Sequence, residues 1–144
     1  QAAICLEQMK KLPKNLEWRR HVQKRYNEEL GDVIQAPPHS ETVQYYCAKV
    51  DPEVRDDLID YLADKKIHTS VHFKPLHLYN VVKDMNQRDY PVANVEWKKL
   101  ISLPCHPGMN DEDIDYVVYW VLQYFKDNAP QPVEVEKPWW RFWE

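Results

Sequence analysis

Apolar residues near the N-terminus recur at every fourth position among charged neighbours, which is the spacing of one face of an α-helix. This pattern predicts helix over residues 1–12 and 15–30. An interruption is expected at Pro13, because proline removes a helical hydrogen bond. Gly31 is a plausible helix end. The predicted buried stripe is Trp18, Val22, Tyr26 and Leu30.

Two further helices are predicted by their first residues as well as by periodicity. Asp51 is a typical N-cap, and Pro52 suits the first helical position, where no backbone N–H is needed. Asn110 precedes three acidic residues, which the helix dipole favours in a first turn. The stripe of the first of these helices is Val54, Leu58 and Leu62. The stripe of the second is Ile114, Val117, Val118, Val121 and Phe125.

Three extended segments lie between the helices. TVQYYCAKV (42–50) and LISLP (100–104) have the composition of strands, and IHTSVHF (67–73) alternates until Pro75 ends it. Alternation would place Ile67, Thr69, Val71 and Phe73 on one face and His68, Ser70 and His72 on the other. Strands separated by helices predict a small α/β or α+β layer sandwich, in which helices cover a short sheet.

A tail rich in proline and tryptophan, residues 129–144, follows a predicted domain of residues 1–128. Aromatic residues of this kind often anchor interfaces. Two alternatives stay open: the tail contacts a partner, or it folds back onto an apolar surface of the same chain. The candidate contact residues are Trp139, Trp140, Phe142 and Trp143.

Composition and charge narrow the function. A chain of 144 residues that is 44% hydrophobic and 29% charged suits one soluble globular domain. No apolar run approaches the ~20 residues of a membrane span, and a net charge of -4 gives no field to gather nucleic acid, so neither partner is expected. The cysteines Cys5, Cys47 and Cys105 are odd in number, which suggests reduced thiols in a cytoplasmic protein.

The chain also lacks the glycines that phosphate-binding loops need. It has only two, so no backbone cradle for a phosphate is expected in it. It begins at Gln1 without methionine, inside a helical pattern, which suggests a fragment.

The histidines raise the question of a metal site. His68, His72 and His77 are suitably spaced for ligands on a helix, but on a strand the first two would lie roughly 13 Å apart, too far to share an ion. Adjacent Cys105 and His106 supply neither a good chelate nor the geometry of a nucleophile and its base. No metal site and no catalytic residue are predicted, although a small metal-binding protein is kept as an alternative.

Several motifs, taken in order, resemble a known family. QAAICLEQMKKL, YYCAKV, RDDLIDYL, IHTSVHFKPLH and SLPCHPGMNDEDIDYVV are similar to the C-terminal domain of the DegT/DnrJ/StrS sugar aminotransferases, over residues 1 to about 126. The chain departs from the family pattern at Cys5, where glycine is usual, at Lys66–Ile67, and in the aromatic tail.

The resemblance implies the small C-terminal domain of fold type I pyridoxal-phosphate enzymes, and a homodimer with active sites at the subunit interface. It implies amino transfer, usually from glutamate, to a keto sugar attached to a nucleotide. A lysine of a missing large domain would hold the cofactor, so none is expected on this chain alone. A non-catalytic binding or dimerisation module of the same fold, using the Trp-rich tail, is the other alternative.

The resemblance also implies roles for three residues. His72 matches the histidine of the family's VHY/VHF motif, at the edge of the substrate cleft. Lys74 would offer charge to a nucleotide phosphate, and His77 belongs to the same turn. All three are substrate-proximal candidates.

Overall fold

A short sheet covered by helices forms the architecture. The computed structural model describes residues 1–38, 40, 43–82 and 90–128. The elements are helix α1 (Ala2–Leu30), strand β1 (Tyr46–Lys49), helix α2 (Pro52–Asp64), a 3-10 helix (Leu76–Leu78), helix α3 (Pro91–Glu96), a second 3-10 helix (Trp97–Lys99), strand β2 (Leu100–Leu103) and helix α4 (Asp111–Asn128). The predicted fold class is confirmed.

The sheet pairs β1 with β2 in antiparallel register, from Tyr46 opposite Leu103 to Lys49 opposite Leu100. Single bridges extend it on both sides, since Gln35 pairs with Lys49 and Ser70 pairs with Ser102. The segment around Ser70 therefore lies against the free edge of β2. This edge positions the candidate site.

Residues 67–73 are not a strand, and this prediction was wrong. Only Ser70 pairs with β2, through a single bridge to Ser102. The chain then turns at His72 and Phe73, so alternation fails. Phe73, predicted to share a face with the buried Ile67, is 68% exposed. Strand β1 is likewise shorter than the predicted segment 42–50.

Helix α1 runs without interruption through Pro13, which corrects the predicted break. The carbonyl of Met9 loses its helical partner there, but both residues are exposed, so water can solvate that carbonyl. The helix ends before Gly31 as predicted, although Gly31 does not adopt the left-handed conformation of a typical glycine cap. Gly31 has φ of -58°, and a Cβ built on it would lie 2.8 Å from the Asn27 carbonyl oxygen.

The core lies between the sheet and the second half of α1, α2 and α4. The predicted stripes are confirmed, with Trp18 and Val54 only partly buried at their edges. Two fully buried tyrosines are also hydrogen-bonded. The hydroxyl of Tyr26 donates to the Pro104 carbonyl at 2.9 Å, and that of Tyr46 donates to Asn27 Oδ1 at 2.9 Å.

The predicted caps are present. Asp51 Oδ1 accepts from the Glu53 amide at 2.8 Å. Asn110 and Asp113 exchange two hydrogen bonds of 2.9 Å, each side chain accepting from the other's amide, which is a capping box. Among the described residues, no helix has the length and apolar character needed to cross a membrane.

The tail falls outside the part of the chain that the structure describes. The predicted contacts of Trp139, Trp140, Phe142 and Trp143 therefore stay predictions, as does the domain boundary at residue 128.

Candidate functional site

His72 is held by the edge of β2. Its Nδ1 lies 2.8 Å from the hydroxyl oxygen of Ser102, and the imidazole tautomer decides which of the two groups donates. Ser102 is buried, and its backbone pairs with Cys47 on one side and with Ser70 on the other. Because strand pairing fixes Ser102, the hydrogen bond fixes the ring of His72.

Two aromatic rings enclose the same imidazole. Tyr45 stacks on His72 with centroids 4.0 Å apart at an interplanar angle of 22°, and Phe73 meets it edge-on at 4.7 Å and 88°. Tyr45 is 46% exposed and Phe73 is 68% exposed. We call Tyr45, His72, Phe73 and Ser102 the His72 cluster. Its two aromatic rings are exposed to solvent, and its imidazole is hydrogen-bonded to Ser102 of β2.

Lys74 and His77 contact a different part of the fold. The Lys74 ammonium is exposed and lies 5.5 Å from the ring centroid of Tyr79 and 5.8 Å from that of Trp97. His77 Nε2 lies 2.6 Å from Asn94 Oδ1. Lys74 thus offers a positive charge to solvent, while Nε2 of His77 is already hydrogen-bonded.

An ion network fixes α3 to the sheet. Lys49 of β1 and Lys99 both donate to the carboxylate of Glu96, the second at 3.1 Å. Burial raises the pKa of Glu96, but hydrogen bonds from the two lysines outweigh burial and hold that pKa below its usual value. Because α3 also carries Asn94, the network supports the position of His77.

Cys105 and His106 do not pair with each other. The Cys105 thiol lies 3.9 Å from the Arg19 carbonyl, and burial raises its pKa against a smaller opposing effect of Arg19. His106 Nδ1 accepts from the Gly108 amide within its own turn at 3.2 Å. A raised pKa and an engaged imidazole are the opposite of what a nucleophilic thiol needs.

The described residues do not bring together three His, Cys, Asp or Glu side chains in a way that could hold a metal ion. A Cβ on either glycine would meet atoms of its own local segment, the Asn27 carbonyl for Gly31 and the His106 ring for Gly108.

Tyr45, Ser102 and Asn94 were not singled out from the sequence. Tyr45 and Ser102 stand in motifs that carry the family resemblance, YYCAKV and SLPCHP, and this was the only available signal for them. No sequence pattern around Asn94 indicated its contact with His77. Each contacts its histidine across 17 to 30 positions of sequence, a proximity that only the fold creates.

The fold is that of a small α/β domain that carries the His72 cluster at the edge of its sheet. Comparison with known proteins gives its family. A family model described as the DegT/DnrJ/EryC1/StrS aminotransferase family matches residues 1–122. The chain belongs to this family.

A curated relative and two solved structures illustrate the similarity. The dTDP-4-dehydro-2,3,6-trideoxy-D-glucose 4-aminotransferase of Saccharopolyspora spinosa is 28% identical over 120 residues, which is 78% of this chain and 31% of the relative. The aminotransferase TlmJ from Streptoalloteichus hindustanus superposes with a TM-score of 0.81 at 26% identity, over 90% of this chain and 37% of that one. NtdA from Bacillus subtilis, solved with bound cofactor PMP, gives 0.77 at 26% identity, over 88% of this chain and 32% of that one. The chain spans about a third of the proteins that it matches.

Proposed function

We propose that this chain is the small C-terminal domain of a pyridoxal-phosphate-dependent aminotransferase that moves an amino group, usually from glutamate, to a nucleotide-linked keto sugar in the cytoplasm. The family match over residues 1–122 carries the proposal. The chain contributes a wall of the substrate cleft and is not catalytic alone. The domain extends to residue 128, and the tail follows it.

His72 is the residue of this wall best suited to meet the substrate. Its Nδ1 is occupied by Ser102, and its ring orientation is fixed by Tyr45, so only the far side of the imidazole remains to face a ligand. A side chain restrained in this way loses little entropy when it binds. It would hold a sugar hydroxyl or carbonyl oxygen in place, with Nε2 donating the hydrogen bond.

Lys74 and His77 would contact the nucleotide portion. The exposed ammonium of Lys74 can pair with a phosphate oxygen. His77 keeps the turn in place through Asn94, because that hydrogen bond joins it to α3.

A large domain would cover the first half of α1. Residues 1–14 are all exposed, although the segment contains Ile4, Leu6, Met9 and Leu12. Burying the exposed apolar surface of each would contribute on the order of 1 kcal/mol. The parent would be a homodimer with this domain beside the site.

When bound to the parent enzyme, pyridoxal phosphate supplies the electron sink of amino transfer. Because the proposal places the cofactor on the large domain, the test is a pyridoxal-phosphate titration of the purified chain. It is followed by absorbance, then by borohydride reduction and mass analysis. We expect no stoichiometric lysine adduct. One adduct on a single lysine would show that this chain holds the cofactor itself, and would overturn the proposal.

A further inference from the structure

The outer side of α4 carries an aromatic surface that the proposed function does not use. Its rings pack edge to face around Trp120, with centroid distances of 5.0 Å to Tyr119, 6.1 Å to Tyr61 and 6.2 Å to Tyr116. Tyr119 is 56% exposed, and Tyr116 is exposed as well. We call these four residues the aromatic face.

The aromatic face is incomplete as it stands. Trp120 Nε1 is buried and has no hydrogen-bond acceptor among the described residues, whereas buried donors are nearly always paired. Lys65 already places its ammonium 4.4 Å from the ring centroid of Trp120 and 5.3 Å from that of Tyr61. The surface therefore lacks an acceptor and a cover for its exposed tyrosines.

The tail of the same chain can reach this surface. Helix α4 ends at Asn128, and Trp120 lies eight residues earlier, about 12 Å back along the helix. The ten residues 129–138 include three prolines and would span about 30 Å when extended. This length exceeds what a return from the helix end to Trp120 requires.

Charge complementarity favours the same pairing. Asp57 and Asp64 stand four and three positions from Tyr61 on α2, so they flank it on one helix face. Burial raises the pKa of Tyr61, and the negative charge of Asp127 adds to that rise. The end of the tail, residues 137–144, carries Lys137 and Arg141 against one acidic side chain, Glu144. Opposite charges on the two surfaces favour their association.

We propose that residues 137–144 dock in cis on the aromatic face, where tryptophan rings cover Tyr116 and Tyr119 and a carbonyl or carboxylate of the tail accepts from Trp120 Nε1. The family match ends at residue 122, so the docking tail lies outside that match, whereas the aromatic face lies within it. This contact does not depend on the proposed aminotransferase function.

Photocrosslinking of the full chain tests the proposal. Benzoylphenylalanine replaces Trp140, equal amounts of ¹⁴N- and ¹⁵N-labelled chains are mixed, and cross-linked peptides are identified by mass spectrometry. We expect cross-links within one chain to peptides containing residues 57–65 or 116–127. Tyr119→Ser should lower the yield of these intrachain cross-links about 2- to 10-fold, because one aromatic contact is lost. Tyr79→Ser is the control, because Tyr79 is similarly exposed at 46% on another surface, and it should leave the yield unchanged.

Three outcomes would overturn the proposal. Cross-links between light and heavy chains would show that the tail binds a second copy. Cross-links to α1 or to residues 70–79 would place it elsewhere. An unchanged yield in Tyr119→Ser, with thermal unfolding like wild type, would show that the face is not the docking surface. Arg141→Glu tests the same contact from the tail without altering the face, and should lower the yield as well.

Discussion

Replacing Tyr26 with phenylalanine should make the protein less stable at neutral pH and less sensitive to alkali. The side chain is fully buried, and its hydroxyl donates to the Pro104 carbonyl at 2.9 Å. Removing the donor leaves that carbonyl without this partner, at a cost of about 1–2 kcal/mol in the free energy of unfolding. Tyr46→Phe is the matched variant, since Tyr46 is equally buried and donates at the same distance to Asn27.

The sign of the pH dependence follows from the pKa values. Burial raises the pKa of Tyr26 and of Tyr46 above the ordinary value for tyrosine of about 10. Above that pH the unfolded chain releases the phenolic proton while the folded chain keeps it, so stability is lost as pH rises. Each such tyrosine lowers the free energy of unfolding by about 1.4 kcal/mol per pH unit.

The assay is urea unfolding of the purified chain, followed by circular dichroism between pH 7 and 11. Tyr26→Phe should reduce the alkaline slope by about 1.4 kcal/mol per pH unit, so the gap to wild type should close near pH 11. Tyr46→Phe should behave in the same way. Parallel curves for wild type and both variants would refute the claim that burial keeps these phenols protonated.

Three further substitutions test the candidate site and its support. In a complete parent enzyme, His72→Ala should lower kcat/KM about 10-fold or more, because a positioned hydrogen-bond donor is lost. Lys74→Ala should raise KM with little change in kcat. Wild-type kinetics in both variants would contradict the proposed placement of these residues beside the substrate. Glu96→Gln should lower the free energy of unfolding by about 1–2 kcal/mol at pH 7. Because the pKa of Glu96 is lowered in the folded chain, this stability is present above about pH 4.3 and is lost as pH falls below it. Urea unfolding at pH 7 and pH 3 measures the difference between wild type and variant, and an equal difference at both pH values would contradict the ion network.

The helices could be predicted from sequence because their signals are local. Asp51 and Asn110 cap the helices that follow them, and the buried stripes repeat at helical spacing. Pro13 was the exception. The expected break at Pro13 assumed that the lost helical hydrogen bond could not be replaced, whereas at an exposed position water can replace it.

The contacts of the candidate site could be predicted only in part, because they are not local in sequence. His72 was singled out through a resemblance, but its environment was derived from a strand that does not form. Pairing depends on the path of both segments, and this one turns away from β2 at His72 and Phe73 after its single bridge at Ser70. The stacking of Tyr45 on His72 joins residues 27 positions apart, which no periodicity within either segment can indicate.

The exposed first half of α1 has a mechanical consequence. The helix is continuous over 29 residues, about 43 Å, and only its second half is anchored, by the core and by the hydrogen bonds that Arg19 and Tyr26 make to the loop after β2. The exposed part, residues 1–14, is about 20 Å long, so a tilt of 10° about the anchored half would displace its N-terminal tip by about 3.5 Å. In the proposed parent enzyme, whatever binds the tip would set the angle of the helix and, through it, the distance between the His72 cluster and the large domain.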